Sequence, residues 1–132
     1  MTRARGRTKE CSVADARARL IDARQFLDAA GMLAIPGNGD VVTTNAIHAA
    51  IAASDVICCL QLGRRSNDAN HEAAIALLDQ ANTELAGQLR RALARKQQAA
   101  YESRDVADSD AKACVEAARR LVTAAAAAIA RI

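Results

Sequence analysis

Residues 63–74 read GRRSNDANHEAA, a polar stretch between two apolar ones. Arg64, Arg65 and His71 are the residue types there that can act on a phosphodiester. Histidine titrates near neutral pH and can carry a proton to or from a ribose 2′-OH or a leaving 5′-oxygen. Arginine offers a rigid fork of donors to a phosphate as negative charge builds on it. Together they suit RNA cleavage by attack of the 2′-OH, with either Arg64 or Arg65 beside His71. No cluster of carboxylates or of His and Cys has the spacing of a metal site, so no metal or other cofactor is expected. The plain alternative is that the arginines close a helix electrostatically and His71 is an ordinary first-turn residue.

Asp55 is the third candidate. It lies inside AIAASDVICCL, where an unpaired carboxylate is costly. An arginine partner is expected, with Arg64 and Arg65 first in line. Asn67 and Asn70, in the polar stretch, and Arg91 and Arg95, four apart on one helix face, are candidates to hold substrate. His48 is read as a hydrogen-bonded structural residue. Tyr101 is read as packing the bundle and bonding a neighbour.

Helices must position these groups. Ser12 followed by Asp15 predicts a capped start, and the stripe Val13, Ala16, Leu20, Ala23, Leu27, Ala30 predicts a first helix over 12–31. The loop MLAIPGNGD follows. Thr43 or Thr44 is expected to cap a second helix that runs to about Leu62, apolar nearly all round and therefore central. A third helix starts near Asp68 or Asn70 and bends at Asn82–Thr83 into a fourth that reaches about Ser103. Ser109 is expected to cap the last. No alternating strand pattern appears. The expected fold is all-α, an up-and-down bundle of four to five helices.

Composition agrees with one close-packed domain over 11–132. The 132-residue chain is 52% hydrophobic but only 2% aromatic, so alanine supplies much of its apolar surface. No apolar run long enough to span a bilayer and no apolar leader is seen, which excludes membrane classes at this stage. The net charge of +3 lies in residues 1–10, through Arg3, Arg5, Arg7 and Lys9. That arm is read as flexible, either meeting nucleic acid phosphates or acting as a solubilising tail. Cys11, Cys58, Cys59 and Cys114 show no CxxC spacing and are expected as reduced thiols in a cytoplasmic protein.

The order of these pieces resembles the HEPN superfamily over most of residues 11–132. ARLIDARQFLDAA is similar to its opening helix. TTNAIHAAIAASDVICCLQLG is similar to its small, apolar second helix with a polar residue inside. Arg65-SNDAN-His71, or Arg64-RSNDAN-His71, matches its Arg–x4–6–His motif. RALARKQQAAYES, with Lys96, Ala100 and Tyr101, resembles the helix that carries a basic residue before Ala–x–Tyr. DSDAKACVEAARRLV is like the closing helix.

The resemblance implies a dimeric helical bundle whose two motifs meet across a cleft. It implies metal-independent endoribonuclease activity, often as a toxin or defence protein, with RNA as substrate and an antitoxin as possible partner. The motif Arg and His71 would be catalytic, with Asp55 in support. Ala73 stands where some toxin members carry a tyrosine that a nucleotidyltransferase antitoxin modifies. The rival expectations are a catalytically silent HEPN module that binds RNA, nucleotide or protein, and a purely structural helical dimer.

Overall fold

A computed structural model describes residues 6–132. Arg3 and Arg5 of the basic arm lie outside the described residues. The fold is an all-α helical bundle with one very small sheet. Among the described residues it comprises β1 (Thr8–Glu10), α1 (Val13–Met32), α2 (Gly39–Leu62), β2 (Arg64–Ser66), α3 (His71–Ala81), α4 (Thr83–Leu93), α5 (Lys96–Tyr101) and α6 (Asp108–Ala130).

Helix α2 is the centre. It lies against α1 and α6 and also touches α3, α4 and α5. Its buried face runs from Val42 through Ala46, Ala49, Ala50 and Ala53 to Val56 and Cys59. Alanines from α1 (Ala16, Ala23, Ala30) and α6 (Ala117, Ala118, Ala125) meet it. Small side chains let the helix axes approach closely, and Leu78, Leu89 and Leu121 fill the wider gaps. Among the described residues α2 is the one helix long and apolar enough, by length and composition, to cross a membrane, although Asp55 interrupts its apolar run. However, 72% of its apolar window is buried inside the bundle, the character of a core helix.

Some ends follow their local signals. Ser12 accepts the Asp15 amide and Asp15 accepts the Ser12 amide, which makes a capping box. Gly63, at φ +70°, ends α2 in the left-handed conformation that favours glycine. Asn82 ends α3 and caps α4 by accepting the Leu85 amide at 2.9 Å.

Other expected ends move. Helix α2 starts at Gly39, not after a Thr43 or Thr44 cap. The Asp105 carboxylate accepts the amides of Gly39 (3.2 Å) and Asp40 (2.8 Å), and Asp40 in turn accepts the Val106 amide at 2.8 Å. A cap supplied from so far along the chain extends the helix through GD, which local propensity disfavours. Ser109 lies inside α6 rather than capping it. Ala107 is the N-cap and makes no side-chain bond, while Asp108 and Asp110 complement the helix dipole. The predicted long fourth helix is divided at Ala94–Arg95 into α4 and α5.

Two further expectations are corrected. Residues 8–10, read as part of a flexible arm, form β1, which pairs antiparallel with β2 in the register Thr8↔Ser66, Lys9↔Arg65, Glu10↔Arg64. Three-residue strands are too short to show alternation. The four cysteines are not all thiols: Cys11 and Cys59 are bridged, with their Cα atoms 5.4 Å apart. The strand pairing carries Cys11 to the end of α2, a proximity that spacing along the chain conceals. Cys58 and Cys114 are free and buried.

Candidate functional site

Asp55 is the polar centre of α2, only 5% exposed. Its Oδ2 accepts a hydrogen bond from Arg19 Nε at 2.9 Å, and Arg65 Nη1 stands 3.7 Å from the same oxygen. Arg19 Nη1 also reaches Asp22 at 3.1 Å, so one guanidinium links two carboxylates on α1 and α2. Burial pushes the Asp55 carboxyl above the ordinary carboxylate range, while Arg19 and then Arg65 pull it down. The expected arginine pairing of Asp55 is therefore present, but its nearer partner is Arg19, which was not among the sequence candidates.

Strand β2 separates the two candidate arginines. Successive residues of a strand point to opposite sides. Arg65 turns to Asp55, and Arg64 turns away to donate to Gln80 Oε1 at 3.2 Å. Arg65 lines a cavity of about 200 Å³ with Lys9, Cys11, Asp15, Arg19 and Asp22.

His71 is the first residue of α3, set by a run of local caps. Asp68 accepts the Asn70 amide at 2.8 Å, and Asn70 accepts the Glu72 amide at 2.9 Å. The imidazole lines a second cavity, about 320 Å³, with Ser54, Asp55, Ser66 and Lys96. Burial, and then the charge of Lys96, hold its pKa below the ordinary value of 6.5. A neutral ring at neutral pH has one nitrogen free to accept a proton.

Within one chain Arg65 and His71 therefore line different cavities. Asp55 is the group common to both environments: it borders the His71 cavity and is ion-paired with Arg65.

The candidate substrate residues are dispersed. Asn67 is exposed, with its amide donating to the Arg7 carbonyl at 2.8 Å. The Asn70 side chain is used as the cap of α3. Arg91 is exposed, and Arg95 pairs with Asp110 at 3.4 Å on the side of α6. Neither arginine lines the two cavities. Arg90 stands closer, paired with Glu72 at 3.3 Å in a hollow shared with His71 and Lys96. Arg19, Arg90 and Lys96 were missing from the sequence candidates. Lys96 had a signal through its place before Ala–x–Tyr, and Arg90 through the acid-free basic stretch that it forms with Arg91, Arg95 and Lys96.

His48 and Tyr101 do not have the expected roles. His48 is on the exposed side of α2 with its ring centroid 5.0 Å from that of Phe26. Tyr101 is 76% exposed, so it does not pack the bundle. Among the described residues no three His, Cys, Asp or Glu side chains converge. Compared with known proteins, the sequence matches no family model and no curated protein.

Proposed function

We propose that the chain is a HEPN-like endoribonuclease of the toxin or defence type, acting in the cytoplasm as a homodimer without a metal. The observation that carries this reading is the position of Asp55, paired with Arg65 on one side and bordering the His71 cavity on the other. A buried carboxylate that pairs with an arginine and borders the cavity of a partly buried, neutral imidazole is suited to a phosphodiester site. Because Arg65 and His71 face different cavities, a two-fold axis that brings one chain's arginine towards the other's histidine would complete the site.

In such a site the 2′-OH attacks the adjacent phosphorus in line. His71 takes or supplies the proton, and Arg65 stabilises charge on the non-bridging oxygens. The bond to the 5′-oxygen breaks, leaving a 2′,3′-cyclic phosphate and a 5′-OH. DNA, lacking the 2′-OH, survives. Chain-terminal labelled RNA incubated with the purified protein in EDTA tests this. Cleavage with cyclic phosphate ends, lost in His71→Ala, supports the reading.

The second reading is a catalytically silent module of the same type, binding RNA or a partner such as an antitoxin. It is favoured by the same separation of Arg65 from His71. RNA bound but left uncut, or cut equally by wild type and His71→Ala, selects it.

A further inference from the structure

Residues 6–11 lie as a strap along the loop that joins α2 to α3. The Cys11 amide donates to the Gly63 carbonyl at 3.0 Å, and the Asn67 amide to the Arg7 carbonyl at 2.8 Å. The Arg7 amide donates to Asp68 Oδ2 at 3.1 Å. Gly6, at φ +70°, sits so close to Ala73 that any Cβ on it would collide. The strap thus meets both ends of the segment that carries Arg65 and His71. Its strand is exposed at all three residues and buries no apolar side chain. Hydrogen bonds open to solvent hold it weakly, so its one covalent tie, Cys11–Cys59, matters most to its position.

We propose that Cys11–Cys59 is a redox-modification site, exchanging with low-molecular-weight thiols, and that its state sets how firmly the strap holds the 64–70 loop. Access is one-sided. Cys11 is half-buried and lines the cavity beside Lys9, Arg19 and Arg65, whereas Cys59 is 6% exposed behind it. An entering thiolate attacks Cys11 Sγ. The protein S–S bond breaks, and Cys59 leaves as a thiolate that takes up a proton. A second small thiol attacks the mixed disulfide on Cys11, releasing the small-molecule disulfide and the Cys11 thiol. The protein gains two electrons and two protons, and two small thiols are oxidised. Cys58 does not compete, since burial pushes its thiol up to about 12. The inference rests on the strap's geometry and is read without RNA cleavage.

The test equilibrates the full chain in mixtures of reduced and oxidised glutathione, quenches it in acid, and alkylates thiols after denaturation for mass spectrometry. Cys11 and Cys59 are expected to lose alkylation together in the oxidising mixtures, with Cys58 and Cys114 alkylated throughout. Any trapped glutathione adduct should sit on Cys11. In parallel, amide hydrogen exchange of residues 7–11 and 64–68 should rise at least about tenfold on reduction, while α2 and α6 remain the most protected segments. Cys58→Ser should behave as wild type, and Cys11→Ser should exchange like the reduced protein in every mixture. A Cys58–Cys59 bridge, an adduct on Cys59, or equal exchange in the oxidised and reduced chains would overturn the proposal.

Discussion

Arg19 Nε lies 2.9 Å from Asp55 Oδ2 although 36 residues separate them, and it is closer to that oxygen than Arg65 is. The tie joins the first two helices at the one buried charge of the central helix. It also leaves Arg65 the weaker hold on the carboxylate, and so the guanidinium more easily drawn to another anion.

Removing Arg19 should therefore destabilise the fold and loosen Asp55. Arg19→Met keeps the aliphatic stem and leaves the buried carboxylate with Arg65 alone. The arginine side chain is 28% exposed, which screens the pair. Its loss should cost about 1–2 kcal/mol, less than for a fully buried pair. Urea unfolding measures this, and carbon NMR should show the Asp55 carboxyl titrating still higher. No change in either would mean that the bond does not hold the carboxylate in solution.

The histidine gives a pH signature. Its folded pKa lies below 6.5, so the unfolded chain binds that proton more readily. Stability on this account is complete above pH 6.5 and is lost as pH falls towards the folded pKa. Lys96→Gln removes the lesser of the two causes and should raise the His71 pKa, narrowing that window. Titration of the imidazole signals by NMR in wild type and variant checks both statements. A His71 that titrates above 6.5 contradicts them.

Glycines separate by what surrounds them. A Cβ on Gly39 would collide with the Val106 carbonyl, where the 105–106 turn caps α2. Gly39→Ala should cost about 1–3 kcal/mol by forcing that turn away. Gly87 lies in α4 with open space around its Cα. Gly87→Ala should instead add about 0.5–1 kcal/mol through helix propensity. Thermal unfolding of the two variants should move in opposite directions.

Opening the Cys11–Cys59 bridge should lower global stability as well as release the strap. The bridge spans 48 residues, for which loop closure in the unfolded chain predicts about 4 kcal/mol, with about 2 kcal/mol a realistic lower figure. Comparing denaturation midpoints of oxidised and reduced protein measures it. Equal midpoints would show that the bridge constrains the folded and unfolded chains alike.

Local chemistry was legible where it acted locally. Ser12 with Asp15, Gly63, and the break at Asn82 could be read because each signal sits within a turn of the end it makes. The apolar run around Asp55 marked both the central helix and the need for a charged partner. What escaped depends on distant parts of the chain. Asp105 capping α2, Arg19 reaching Asp55, Cys11 meeting Cys59 and the pairing of β1 with β2 are all tertiary contacts. No spacing along the sequence encodes them. The choice between Arg64 and Arg65 is of the same kind: two adjacent arginines look alike until a strand turns them to opposite sides.

The bridge also changes the topology in which the two-stranded sheet forms. Thr8 and Ser66 are far apart along the backbone, yet they are three and seven residues from the linked cysteines. Through the sulfur atoms, the sheet becomes a local contact instead of a long-range one. Closing a short path loses less chain entropy than closing a long one. A chain refolding with its bridge intact should therefore assemble β1 on β2 early. The same chain started from thiols must find that pairing only after α1 and α2 have come together.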